Sequence, residues 1–213
     1  MVYRTPPENF NPKLLVVGCF VEHDGKILLL QRHEKQSLGN QWGIPGGKMN
    51  EGEDISTAML RELQEETGIV VEKDRLEYFA PFYVRNGDFE IIYHQHVLKL
   101  SLRPDITLSD WDHQDYTWVT PAEALIFNYV HDVDSCIYEV YGITLPVVEK
   151  GIYCHYKGNE YEVLGMGKHT ETHEDMVIYK ALYGAGIIWS RPVDSFFEEV
   201  EYKGNKVPRF VKL

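Results

Sequence analysis

Three glutamates, Glu62, Glu65 and Glu66, crowd the run RELQEETG at residues 61–68. In a helix, positions three and four apart lie on one face, and like charges there destabilise an isolated helix by about 0.2–0.5 kcal/mol per pair. A hard divalent cation such as Mg²⁺ or Mn²⁺ would turn this repulsion into coordination, because both ions prefer oxygen ligands. A solvated acidic helix face is the simpler alternative for such a cluster.

The cluster lies in a segment whose pattern predicts a helix from Asp54 to Thr67. Ile55, Met59 and Leu63 recur every four residues as an apolar stripe. Asp54 is a suitable N-cap, and Gly68 follows the last periodic residue as a helix terminator. The stretch GNQWGIPGG at residues 39–47 precedes the helix, and its glycines allow backbone groups to approach a metal or a phosphate closely.

The other segments up to about residue 143 predict a compact α/β domain. Two β-type runs, Leu14 to Val21 and Lys26 to Arg32, form a hairpin signal around Asp24-Gly25. Thr120-Pro121 starts one short helix. The remaining predicted elements are strands at 76–84, 89–102 and 116–119, and a helix at 130–141.

The composition limits the classes of partner. The chain of 213 residues has a formal net charge of −12 and 44% hydrophobic residues, so we expect a packed core but no broad electrostatic contact with nucleic acid or membranes. Its three cysteines are scattered, its proline-broken start is no signal peptide, and no apolar run could span a bilayer. We therefore predict a cytoplasmic protein with a small-molecule ligand, and a homodimer is one possible assembly.

The composition of the sequence changes between Gly142 and Gly151. We expect a domain boundary there, between a domain at 1–145 and a domain at 146–213. From Gly151 onward, short aromatic runs alternate with turn signals such as Lys203-Gly204-Asn205. This pattern predicts four to six short strands in a small all-β, barrel-like domain without a helix.

Glycine at 47, glutamate at 53 and the run RELQEETGI at 61–69 match without a departure the signature of the Nudix hydrolases. The loop GNQWGIPGG and the later segment WVTPAEAL at 118–125 also resemble that family, so the resemblance covers roughly residues 10–142. It implies an αβα sandwich around a mixed sheet. It also implies a hydrolase of a nucleoside diphosphate linked to another group, such as a triphosphate cleaved to monophosphate and pyrophosphate.

The resemblance also implies roles for individual residues. Glu62, Glu65 and Glu66 would bind Mg²⁺ or Mn²⁺, assisted by a backbone carbonyl at Gly46 or Gly47, and Glu62 is the first candidate for general base. Glu53 and Arg61 would form the ion pair that fixes the loop against the helix. A further carboxylate often completes the metal shell in relatives. The candidates are Asp110, Asp112 and Asp115, of which we take Asp112 as the working choice.

Candidate substrate-binding residues are less specific. The neighbourhood from Gln31 to Lys48 is similar to relatives that remove modified purine triphosphates from the nucleotide pool. Phosphate-binding candidates are Arg32, Lys48 and Arg85. Base-binding candidates are Trp42, Phe82 and Asn128.

The second region resembles a small bacterial β-domain of uncharacterised role that also occurs alone. The matching pieces include HYKG at 155–158, ALYG at 181–184 and WSRP at 189–192. Trp189 and Arg191, two apart on a predicted strand, share a face that could stack on a base or a peptide, although a role in the core is the simpler interpretation. We predict that this module binds a ligand or tunes the specificity of its neighbour.

Other functions stay open at this stage. The first domain could be a non-catalytic sensor of a nucleotide-like metabolite. Such sensors often lack some of the carboxylates of the Nudix signature, and none of those carboxylates is missing here. A hydrolase of ADP-ribose-like or sugar-nucleotide substrates is another alternative, weakened because Pro81 and Tyr83 fall slightly early for the motifs of those relatives.

Overall fold

The chain forms two compact units, Met1–Ile143 and Thr144–Leu213. The computed structural model describes residues 2–87, 89–130, 132–143, 148–172 and 174–213. Within those ranges, no helix is both long enough and apolar enough to cross a membrane.

The first unit is a mixed β-sheet with helices on both faces. Its strands are β1 (Val2–Tyr3), β2 (Leu14–His23), β3 (Lys26–Arg32), β4 (Trp42–Gly43), β5 (Gly46–Lys48), β6 (Glu77–Asn86), β7 (Phe89–Lys99) and β8 (His113–Val119). Its helices are α1 (Ile55–Thr67), α2 (Pro121–Ala124) and α3 (Val133–Tyr141), and a 3₁₀ turn covers Lys73–Arg75.

The strand order is β1-β6-β7-β2-β3-β4, with β5 paired to β2 and β8 paired to β3. Strands β2 and β7 are parallel, whereas the other described pairs are antiparallel. The predicted turn at Asp24-Gly25 is confirmed: both residues have positive φ, 49° and 70°, as a type I′ hairpin requires. The hairpin pairing is short, because β2 continues along β5 and β7 instead of β3.

Side-chain alternation along the strands produces two cores. Leu28 and Leu30 point to the face covered by α1 and pack with Met59 and Leu63. The intervening residues of β3 point to the opposite face, where they pack with the buried side of α3. The predicted αβα sandwich is therefore confirmed.

Helix α1 begins and ends where the sequence predicts. The Asp54 carboxylate accepts hydrogen bonds from the amides of Ser56 and Thr57, both at 3.2 Å. Gly68 is left-handed, with φ 72°, and its amide donates to the Gln64 carbonyl at 3.0 Å. The helix that was predicted to start at 130 begins only at Val133.

The second unit is a β-rich domain with its own core. Its strands are β9 (Gly151–His155), β10 (Glu160–Lys168), β11 (Asp175–Ala181), β12 (Ile188–Pro192), β13 (Glu199–Tyr202), β14 (Asn205–Pro208) and β15 (Phe210–Lys212), and its helix is α4 (Val193–Phe197). Five strands form a sheet in the order β12-β11-β10-β9-β15, and β13 pairs with β14. Phe196 of α4 stacks on Phe210 at 4.1 Å between ring centroids.

Three details of the prediction for this unit were wrong. The sheet does not close into a barrel, because its end strands β12 and β15 do not pair with each other in the described part of the chain. The described part of the unit has seven strands instead of four to six, because the β13–β14 hairpin forms a ribbon separate from the sheet. Helix α4 has only five residues, too few for an apolar period to be visible in the sequence.

Candidate active site

The glycine loop reaches α1 because two of its residues have no side chain. A Cβ atom at Gly46 would lie 2.2 Å from the Val17 carbonyl oxygen, where β5 pairs with β2. A Cβ atom at Gly47 would lie 2.5 Å from the carboxyl carbon of Glu62. Real atoms do not approach so closely, so glycine alone permits the contact between the loop and the acidic face of α1.

Arg61 connects the loop to the helix. Its Nε and Nη2 donate to the two carboxylate oxygens of Glu53, each at 3.0 Å, and Nη2 also donates to the Lys48 carbonyl at 3.0 Å. Its Nη1 donates to Glu62 Oε1 at 2.7 Å and to Glu65 Oε2 at 3.1 Å. These hydrogen bonds, led by that to Glu53, raise the pKa of the guanidinium and lower the pKa of Glu53.

Glu66 carries a largely buried carboxylate, with 13% of its side chain exposed. Its Oε2 accepts a hydrogen bond from the Gly46 amide at 2.8 Å, and its Oε1 lies 3.8 Å from Nε2 of His113. Burial raises the pKa of Glu66 well above its ordinary value, and it lowers the pKa of His113 to about 4, so His113 is neutral near pH 7. Burial also raises the pKa of Glu62. Burial therefore favours the protonated, neutral forms of both glutamates as long as no cation lies beside them.

The donor set fits a hard divalent cation. In the described ranges, no three acidic, histidine or cysteine side chains converge into a ligand cluster, and Arg61 donates hydrogen bonds to Glu62 and Glu65. However, the Glu66 carboxylate is desolvated and faces a neutral histidine, and a cation there would favour its ionised form. Carboxylates beside exposed glycine backbone supply the oxygen ligands that Mg²⁺ and Mn²⁺ prefer.

Among the three aspartates considered, Asp112 has the clearest link to this site. Its charge contributes to the raised pKa of Glu66, and its Oδ2 accepts a hydrogen bond from Ser109 Oγ at 3.0 Å. Asp110 and Asp115 are exposed, and the Asp115 carboxylate accepts from the amide of its own neighbour, Tyr116.

A cavity of about 380 Å³ adjoins the loop and the acidic face. Gly46, Gly47 and Glu66 line it, as do two cationic side chains, Arg32 and Lys48. A cavity that combines a buried carboxylate, exposed backbone and two cations is suited to an anionic ligand that arrives with a metal ion.

The structure places two of the six predicted substrate-binding residues, Arg32 and Lys48, at this cavity. Phe82 is fully buried in the core, which corrects its prediction as a base-binding residue. Arg85 is bound to Glu90 and to the Glu8 carbonyl, away from the cavity lining.

Trp42 and Asn128 also lie outside the lining. The Trp42 ring packs edge-on against Phe127 at 5.1 Å, and its amide donates to the Asn128 carbonyl at 2.8 Å. These two residues therefore join two chain segments, and their role as base-binding residues stays a prediction.

The lining residues that the sequence did not indicate include Phe89, Tyr93 and His113. Phe89 and Tyr93 belong to β7. They lie beside the cavity because β7 pairs with β2, a strand far away in the sequence. His113 stands alone at the start of β8 without a ligand motif, so no sequence signal distinguishes it.

The family model described as the NUDIX domain matches residues 12–139, more than half of the chain. The chain belongs to the Nudix family. It is a Nudix-type pyrophosphohydrolase, an acid anhydride hydrolase that acts on nucleotides, in a family that uses divalent metal ions. A second family model, described as a protein of unknown function (DUF1653), matches residues 151–212.

The similarities to known Nudix proteins cover a part of the chain of similar length to the family match. The CTP pyrophosphohydrolase of Escherichia coli (strain K12) is 36% identical over 115 residues, which cover 52% of this chain and 78% of that protein. The nucleoside triphosphatase NudI of Salmonella paratyphi B is 30% identical over 125 residues, covering 53% and 86%. The solution structure of the E. coli ORF135 protein is 27% identical with a TM-score of 0.52, covering 65% and 94%.

Proposed function

We propose that the first unit hydrolyses a nucleoside triphosphate to a monophosphate and pyrophosphate with Mg²⁺ or Mn²⁺. The ion would be held by Glu62, Glu65 and Glu66, with the Gly46 carbonyl and Asp112 as further ligands. The observation that carries the proposal is the buried Glu66 carboxylate in a cavity that also contains Arg32 and Lys48. A single cavity thus offers groups for a metal ion and for the phosphates that accompany it.

Each polar residue has a task in this reaction. When bound, the ion neutralises phosphate oxygens and makes water more acidic. Arg32 and Lys48 bind the phosphate chain, and Arg61 holds Glu62 and Glu65 in position through the hydrogen bonds described above. The water oxygen attacks phosphorus, the anhydride P–O bond breaks, and pyrophosphate leaves.

Glu62 accepts the proton of the attacking water in this scheme. Burial raises the pKa of Glu62, which makes the carboxylate a stronger base than an exposed glutamate. The hydrogen bond and the charge of Arg61 oppose this rise in pKa and favour the ionised carboxylate.

The substrate test is a panel of nucleotides with Mg²⁺, Mn²⁺ or EDTA, followed by pyrophosphate and phosphate release. CTP and modified purine triphosphates come first, because of the CTP pyrophosphohydrolase relative and the similarity of the loop region. ADP-ribose and dinucleotides belong in the same panel. Turnover of ADP-ribose without pyrophosphate release from any triphosphate would contradict the proposed substrate, and tight binding without any turnover would support the sensor alternative.

The residue test is Glu66→Gln, which keeps the size of the side chain but removes the charge. We expect kcat to fall by at least about 100-fold, as when a group that stabilises the transition state is removed, with an unchanged far-UV circular dichroism spectrum. Glu51→Gln is the matched control, because it removes one charge from an exposed turn before α1 and should keep full activity. Full activity of Glu66→Gln would remove its assigned role.

A further inference from the structure

A cavity of about 200 Å³ in the second unit is lined mainly by aromatic rings. We call it the aromatic cup, defined by His155, Tyr161, Tyr179, Tyr183, Trp189, Arg191 and Phe210. Tyr179 and Phe210 are only 4% exposed and form its base, whereas Tyr183 and Trp189 are 46% and 49% exposed at its edge. The cup therefore has a rigid base and an accessible aromatic edge.

The rings are held in place before any ligand arrives. Tyr161 contacts Tyr179 and Phe210 edge-to-face, with centroid distances of 5.4 and 5.6 Å. The hydroxyls of Tyr161 and Tyr183 are hydrogen-bonded at 2.6 Å, which fixes one wall at the edge. Such preorganisation lowers the entropy cost of binding a flat ring against them.

The strand register accounts for the placement of Trp189. In the β11–β12 pair, Trp189 lies opposite Tyr179 and Arg191 lies opposite Val177. Alternate residues of β12 share a face, so Trp189 and Arg191 both line the cup while Ser190 between them does not. The aromatic edge and the cation are thus built into one strand.

The charges around the cup favour an anion. Arg191 donates through Nη1 to Ser195 Oγ at 3.1 Å and through Nε to the Tyr179 hydroxyl at 3.4 Å, and within the described ranges its Nη2 makes no hydrogen bond. The carboxylate of Glu198 is engaged by Arg209. Burial lowers the pKa of His155, and the nearby positive charges of Arg209, Lys157 and Arg191 lower it further. This positive environment stands out in a chain of net charge −12.

We propose that the aromatic cup binds a planar heteroaromatic ring that carries an anionic group, with the ring against Tyr183 and Trp189 and the anion on Arg191. A methylated ammonium ion, which aromatic cages also bind, is disfavoured by the guanidinium in the lining. A long nucleic acid strand is disfavoured by the overall negative charge. The proposal concerns the second unit and is independent of the hydrolytic reaction of the first.

The experiment uses calorimetric titration of the full chain in EDTA, with AMP, adenosine and ribose 5-phosphate as probes. We expect AMP to bind, and adenosine and ribose 5-phosphate to bind at least about tenfold more weakly, because each lacks one of the two recognised groups. Arg191→Gln should weaken the binding of AMP by about tenfold and leave the binding of adenosine unchanged. Lys206→Gln, which removes one positive charge from the exposed β13–β14 hairpin, should leave AMP binding unchanged.

A second pair of variants locates the site. Trp189→Ala should weaken both AMP and adenosine, whereas Trp189→Phe, which keeps an aromatic ring, should retain most of the binding. AMP binding that is unaffected by both Arg191→Gln and Trp189→Ala would place it elsewhere and overturn the proposal. No binding of any probe, or preferential binding of tetramethylammonium or single-stranded oligonucleotide, would also overturn it.

Discussion

At residues 46 and 47 the backbone passes so close to its neighbours that only hydrogen fits where a side chain would be. The contact at Gly47 is with the Glu62 carboxylate itself, so the shape of the loop and the position of a proposed catalytic group are coupled. The bidentate contact between Arg61 and Glu53 fixes the segment that connects this loop to α1. Gly47 and the planar guanidinium of Arg61 therefore fix the geometry of this site.

Gly47→Ala tests this coupling. The added methyl group, 2.5 Å from the Glu62 carboxyl carbon, must displace that carboxylate. A displacement of about 1 Å in an active site costs on the order of 100-fold in rate, so we expect a comparable fall in kcat. Steady-state pyrophosphate release gives the measurement. Gly165→Ala is the control, because its new Cβ would approach no atom of the described residues closer than 4.0 Å, and it should match the wild type. Unchanged kcat in Gly47→Ala would show that Glu62 moves without consequence.

The contrast between Glu66 and Phe82 shows what single residues reveal in the sequence. The spacing of the glutamates on α1 follows from helix geometry alone, so the sequence already groups them. The direction of Phe82 depends on the register of β6 with β7, which shifts between Tyr78 and Ala80. A shift of one residue exchanges the two faces of a strand, and no local pattern announces it.

At the scale of elements, α1 carries the acidic face. Its N-cap, Asp54, and its C-cap, Gly68, fix the two ends of the helix and so the length of that face. Its apolar stripe packs into the core beside β3, which leaves the carboxylates facing the glycine loop. Its C-terminal Gly68 lies against Thr107, so the end of the helix also contacts the segment that leads to β8.

Gly68→Ala and Gly142→Ala form a matched pair at the ends of α1 and α3. Both glycines are left-handed C-caps, with φ of 72° and 60°. No atom of the described residues would lie within 4 Å of a Cβ atom at Gly142, so Ala there should cost about 1 kcal/mol from backbone strain alone. At Gly68 the new Cβ would also lie 3.2 Å from Thr107 Cβ, so a larger loss is expected. Urea denaturation measures both free energies of unfolding, and an equal or larger loss in Gly142→Ala would contradict this explanation.

Elements with strong local signals could be predicted, and those formed by distant pairing could not. Helix α1 has a cap, a stripe and a terminator within its own segment, and its bounds agree with the structure. Strands β4 and β5 have only two and three residues, within a glycine-rich stretch, and exist because β3 and β2 pair with them. The open sheet of the second unit depends in the same way on β15, which returns to pair with β9.

For the whole molecule, each unit contains a complete apolar core. Two clusters lie within the first unit, and a separate cluster that includes Val177 and Phe196 lies within the second. The residues assigned to hydrolysis and those of the aromatic cup are divided in the same way between the units. We therefore expect truncation to separate the two proposed activities.

A fragment of residues 1–143 should fold and retain the kcat and substrate order of the full chain, because every residue assigned to the reaction lies within it. Far-UV circular dichroism and the nucleotide panel provide the measurement, and the same fragment with Glu66→Gln checks that the activity belongs to the first unit. The fragment should also lose the AMP binding that Arg191→Gln weakens in EDTA. A changed substrate order with an intact fold would show instead that the second unit tunes the specificity of the first. The fragment and the full chain share the cores and the proposed metal site of the first unit, so only the loss of the second unit could explain the change.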